Sequence, residues 1–155
     1  MSSLSAITLA IELATRNRDE AAKAVALALQ RVGFADEQMR QLRGYAGDTD
    51  ARWLGAPAGM LSSELIKHHY QFVDRLHHAI GLQAVAIADA NVQVDRAHRG
   101  LVAAEVRLAG LKQVLNARTV AIARVQQRRE QRNTDEFASL AFSRRTAQLS
   151  QGESL

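Results

Sequence analysis

Stepping alternately by three and four residues from Leu4 reaches Ile7, Ile11, Ala14, Arg18, Ala21, Val25, Ala28, Val32, Ala35, Met39 and Leu42, and only Arg18 is not apolar. That spacing keeps one narrow stripe on a helix turned toward a partner, which is the pattern of a coiled-coil seam. Farther along, Ile66, Val73, Ile80, Ile87, Val94, Leu101, Leu108, Leu115 and Ile122 recur every seven residues. Three positions beyond each lie His69, Leu76, Gln83, Ala90, Ala97, Ala104, Leu111, Arg118 and Val125. A heptad repeat of this length implies a left-handed supercoil.

Between the two arrays stands GYAGDTDARWLGAPAGMLSSE, where Gly44, Gly47, Gly55, Gly59 and Pro57 weaken or end a helix. Ser62 or Ser63 can cap the helix that follows, ahead of Glu64. The expected fold class is therefore all-α, a long antiparallel two-helix coiled-coil hairpin, read as a single domain over residues 1–155. The first helix is expected over about 4–52, the turn over about 53–61 and the second helix over about 62–132. In NTDEF, Asn133 can cap a further short helix over about 134–148, with Glu136 three residues on.

In an antiparallel pair, a positions of one helix share layers with d positions of the other. Residue numbers adding to 115 centre the turn on Pro57 and Ala58 and set Leu42 against Val73, Ala35 against Ile80, Ala28 against Ile87 and Met39 against Leu76. Small residues then face large ones, so the helices can approach without voids. Sliding by one heptad, to 108 or 122, keeps that alternation. The value of 115 is preferred because it gives the shortest plausible turn, and shorter closures cost less entropy. On this register Leu4 meets Leu111, and the second helix continues with Leu115, Ile122 and Val125 uncovered and flanked by arginines. Such a stripe suits an external protein surface; a frayed tail or self-association is the alternative.

The same register places Gln38, Tyr45, Phe72 and Ala79 at g positions. Tyr45 with Phe72 and Gln38 with Ala79 each add to 117, so all four line one edge of the hairpin near its tip. Aromatic rings on the flank of a two-helix coil are covered by nothing in that fold. They form a docking patch or wrap over the seam.

Composition narrows the class. Of 155 residues none is cysteine, one is proline and 5% are aromatic. Disulfides and thiolate metal sites are excluded, and long helices are favoured. No run approaches the roughly 18 apolar residues that a membrane span needs. The N-terminus has no Lys or Arg before Arg16, so it lacks the charged start of a secretory signal, and a cytoplasmic location is expected. The formal charge is +4. From Arg118 onward seven arginines (118, 124, 128, 129, 132, 144 and 145) stand against Glu130, Asp135, Glu136 and Glu153. A basic C-terminal third suits an acidic protein surface, a membrane or nucleic acid, or is a solvated face.

Candidate chemistry is sparse. IKHHYQFVDRLHHAI holds four histidines, but on the helix His69 is at d while His68, His77 and His78 fall at c, e and f. Metal ligands on a helix sit three or four apart on one face. Asp74 with His77 or His78 has that spacing, and two ligands do not complete a site. No nucleophile, phosphate loop or paired-carboxylate motif occurs elsewhere, so neither an enzyme nor a cofactor is expected.

EQMRQLRGY (37–45), YQFVDRLHHAI (70–80) and DEFASLAFSRR (135–145) resemble the FliJ family, a soluble component of the flagellar type III export apparatus. The resemblance spans nearly the whole chain. It implies a non-enzymatic stalk that binds the hexameric export ATPase (FliI-like), links it to the cytoplasmic domain of the export gate (FlhA-like) and interacts with export chaperones. The family's gate-docking patch matches Gln38, Leu42, Tyr45, Phe72, Leu76 and Ala79. The ATPase ring is expected to meet Arg118, Ile122, Arg124, Val125, Arg128 and Arg129. The turn, rich in Gly and Ala and carrying Trp53, departs from the family pattern. The stalk of a virulence-type injectisome shares this architecture, and a basic nucleic-acid-binding coiled coil is a rival of another class.

Overall fold

The computed structural model describes residues 2–57, 59 and 62–153. Among these there is no strand, and two helices account for nearly everything: α1, Ser2–Leu54, and α2, Ser63–Gly152. They pack against each other as a two-helix coiled-coil hairpin. The chain falls into two compact units, Leu13–Arg107 and Met1–Glu12 with Leu108–Leu155.

Within Leu13–Arg107 the seam follows the heptad arrays. Ala14, Ala28, Ala35 and Met39 are buried, Met39 to 7% exposure, while Ala21, Val25, Val32 and Leu42 are half-buried. On α2 every a and d position from Ile66 to Ala104 is half-buried. Arg18, the one charge in the stripe, is half-buried along its stem and ion-paired with Asp19 at 2.9 Å.

The register differs from the expected one by a heptad. Trp53 stacks on His69 with centroids 3.7 Å apart and planes inclined by 5°. The Gln83 side-chain amide donates to the Ala35 carbonyl at 2.9 Å and to Gln38 Oε1 at 3.2 Å. Trp53 and His69 add to 122, and this sum sets Gln83 against Met39, from which its amide reaches back one turn to Ala35. Ala28 now meets Val94, Ala35 meets Ile87 and Leu42 meets Ile80. Small still faces large, and side-chain volume alone does not separate the two registers. What separates them is the aromatic stack and the amide lock, worth about 0.5–1.5 kcal/mol each. Lengthening the closure by a heptad costs only a fraction of a kcal/mol.

Gly44 and Gly47 do not end α1. The 3,4 spacing continues past Leu42 through Ala46, Thr49 and Trp53, all half-buried. That burial offsets the roughly 1 kcal/mol cost of each glycine in a helix. After Leu54 the chain turns, with the Gly55 N–H donating to the Ala51 carbonyl at 3.1 Å. Ala58, half of the expected turn centre, lies outside the described residues, as do Met60 and Leu61. Ser62 is the cap of α2: its Oγ accepts from the Leu65 N–H at 3.2 Å.

In the other unit, Leu4, Ile7 and Ile11 are half-buried, as are Leu111 and Leu115, and Leu108 is buried. From Asn116 to Glu153 every side chain is exposed. The helix nonetheless runs unbroken through Asn133 in place of the separate helix expected over 134–148. Thr134 donates its hydroxyl to the Glu130 carbonyl at 2.9 Å, and Thr146 does the same to Phe142. Each keeps its polar group satisfied inside the helix rather than competing with it.

Candidate protein-docking surfaces

The first surface lies on the g edge of Leu13–Arg107. Tyr45 is 63% exposed and Phe72 49%. Leu42, Leu76 and Ala79 are half-buried beside them, and Gln38 is exposed with its side-chain oxygen held by Gln83. The register of 122 keeps Gln38, Tyr45, Phe72 and Ala79 on one edge but changes their neighbours. That register sets Tyr45 across from Ala79 and Gln38 across from Ala86, and Phe72 shares a groove with Arg52. The expected direct pairings of Tyr45 with Phe72 and of Gln38 with Ala79 are therefore replaced.

Phe72 instead borders a groove with Thr49, Arg52, Trp53, Ala56, Leu65, His68 and His69. Its floor is the Trp53–His69 stack, against which Tyr70 sets its ring edge-on at 6.0 Å from the His69 centroid. Trp53 and Arg52 are the residues that sequence reasoning missed. The signal was present, since continuing the 3,4 stripe from Leu42 lands on Trp53.

The histidines separate accordingly. His69 is a seam residue, His68 rims the groove, and His77 and His78 are exposed. Among the described residues no three His, Asp or Glu side chains gather to hold a metal. Arg40 donates to Glu37 at 2.7 Å one turn away, which raises the guanidinium pKa above its usual value. Both groups are on the surface, where such a pair contributes little.

The second surface is α2 beyond Leu115. Ile122, Val125 and Arg129 share one face and line a shallow groove with Gln126 and Asn133. Arg124 and Arg128, one turn apart, do not line that groove, and Arg118 is exposed at the preceding d position. Among the described residues none of the seven arginines from Arg118 onward forms an ion pair. Phe137, Leu140 and Phe142 are exposed farther on. Apolar side chains and unpaired cations on a bare helix fit a partner that supplies both apolar contact and carboxylates.

No helix is long and apolar enough to cross a membrane among the described residues. The family model for the flagellar FliJ protein matches residues 5–147. No curated relative matches the chain. The match covers nearly the whole sequence, and the chain belongs to the FliJ family, with a flagellar, export-related role.

Proposed function

We propose that this FliJ-family chain is a non-enzymatic, stalk-like link in the flagellar export apparatus. It joins the export ATPase hexamer to the cytoplasmic domain of the export gate, and it engages export chaperones in the cytoplasm at the inner-membrane base of the apparatus. The observation that carries this reading is the pair of uncovered aromatic rings, Tyr45 and Phe72, on an edge whose seam is already complete. About half or more of each residue is exposed, so that apolar area is available to a partner, and aromatic side chains dominate binding energy at interfaces. The gate docks there, against Gln38, Leu42, Tyr45, Phe72, Leu76 and Ala79. The ATPase ring takes the bare part of α2, where Ile122 and Val125 give apolar contact and Arg118, Arg124, Arg128 and Arg129 meet acidic groups. That second association weakens as salt rises.

The test measures binding of the full chain to the purified ATPase and gate domain. Tyr45→Ala with Phe72→Ala is expected to weaken gate binding by at least about tenfold and to leave ATPase binding intact. Ending the chain after residue 116 is expected to abolish ATPase stimulation while sparing the gate. Unchanged gate affinity in the double variant, or full stimulation by the shortened chain, would refute the corresponding half.

A further inference from the structure

A second 3,4 stripe runs along α1 outside the seam, through Ala24, Leu27, Arg31 and Phe34. Leu27 is 48% exposed and Phe34 65%. With Gln93 and Arg96 of α2 the first three border a groove on the same g edge, toward the middle of Leu13–Arg107 and apart from Tyr45 and Phe72. The e positions of the opposite edge over the same span are Ala22, Leu29 and Asp36 on α1 and Ala84, Asn91 and His98 on α2, with Leu29 the only large apolar side chain among them. The first edge thus carries two large apolar side chains one heptad apart, Leu27 and Phe34, and the opposite edge carries one. Heptad-spaced apolar residues flanking a complete two-helix seam are what a third strand of a coiled coil requires. Ala24 and Ala97 leave the groove shallow enough for a backbone to approach.

Charge selects the occupant. Arg31 and Arg96 rim the groove, and neither is ion-paired. Glu20 and Asp89, at c positions beyond either end of the groove, are the carboxylates of this edge. A second copy would bring the same two arginines to the contact, and like charges there oppose association. We infer that this groove binds an amphipathic helix of another protein, its apolar stripe on Leu27 and Phe34 and its flanking carboxylates on Arg31 and Arg96, making a local three-helix coil. The surface is independent of the gate and ATPase contacts proposed above.

The probe is a four-heptad synthetic helix with leucine at a and d and glutamate at e and g, whose self-repulsion keeps it monomeric, titrated against the full chain by fluorescence anisotropy. Binding is expected, weaker by about tenfold in Arg31→Glu with Arg96→Glu and in Leu27→Ser with Phe34→Ser. Arg124→Glu with Arg128→Glu is expected to stay within about twofold of wild type. All four substituted edge positions are outside the seam, and circular dichroism checks that helix content is retained. The chain lacks cysteine, so a single Phe34→Cys carrying a spin label reports contact directly and should lose mobility when the peptide is added. The inference is overturned if the peptide does not bind or if a lysine version binds equally well. It is also overturned if only the Arg124/Arg128 variant loses binding, or if sedimentation shows a dimer that the Leu27/Phe34 variant dissolves.

Discussion

Two stretches of α2 share a helical backbone and differ in what covers them. From Ile66 to Leu115 every a and d residue is shielded, whereas from Asn116 to Glu153 nothing is. Ile122 and Val125 are on the same heptad count as Leu108 and Leu111, so the repeat itself does not distinguish the two. The difference is the presence of a partner stripe. α1 supplies one as far as Leu4, and beyond its start the apolar positions of α2 stay in water. A heptad pattern therefore reports a capacity for burial, and the chain uses only part of that capacity within itself.

The largest expected contrast is energetic. Met39→Ala should destabilise the fold by about 3 kcal/mol in urea unfolding, through lost burial and the cavity left behind. Ile122→Ala should cost under about 0.5 kcal/mol. Equal effects would break the comparison. Next is local opening: amides between Asn116 and Gly152 should exchange with solvent about a hundredfold faster than those between Ile87 and Leu108, equivalent to roughly 2.7 kcal/mol. Adding the export ATPase should narrow that gap if the proposed contact is made.

A smaller effect sharpens the account of the covered part. Gln83→Leu should stabilise by about 1 kcal/mol, because an apolar layer replaces a polar one. It should also loosen the register, since the amide lock to Ala35 and Gln38 is gone. Spin labels at positions 28 and 94 should then show a second, heptad-shifted distance absent from the wild type. The smallest effect is at Gly47. An added Cβ there meets nothing within 4 Å, so Gly47→Ala should raise stability by about 0.5–1 kcal/mol.

The seam was legible from Leu4 to Leu42 and from Ile66 to Leu115 because apolar spacing alone defines it. The register was not, because Ala28 finds a large partner in either Ile87 or Val94. Only Trp53 on His69 and Gln83 on Gln38 break that degeneracy, and their pairing depends on a turn whose length the sequence leaves open. The end of α1 was legible, expected near residue 52 and found at Leu54, because glycine propensity at Gly44 and Gly47 is a weak penalty beside continued burial at Ala46, Thr49 and Trp53. Asn133 does not begin a new helix, although nothing covers that stretch, because available capping chemistry does not stop a helix whose backbone hydrogen bonds can continue. On the g edge Tyr45 and Phe72 keep their heptad positions, but the neighbours expected across the seam shift with the register. Leu27 and Phe34, at c positions beside that same edge, were not legible as a surface because c positions of a two-helix coil face solvent and carry no burial signal.

Among the described residues no side chain of α2 beyond Leu115 is shielded. Its shape there rests on backbone hydrogen bonds and local ones such as Thr134 to the Glu130 carbonyl, and it is expected to open more readily than the covered part. If the proposed ATPase contact is made, the ring must first order that segment, at a cost in entropy that is subtracted from the contact energy. Such a complex would be looser than its contact area suggests. On the stalk reading proposed above, such an incompletely clothed helix would favour release over a long-lived grip.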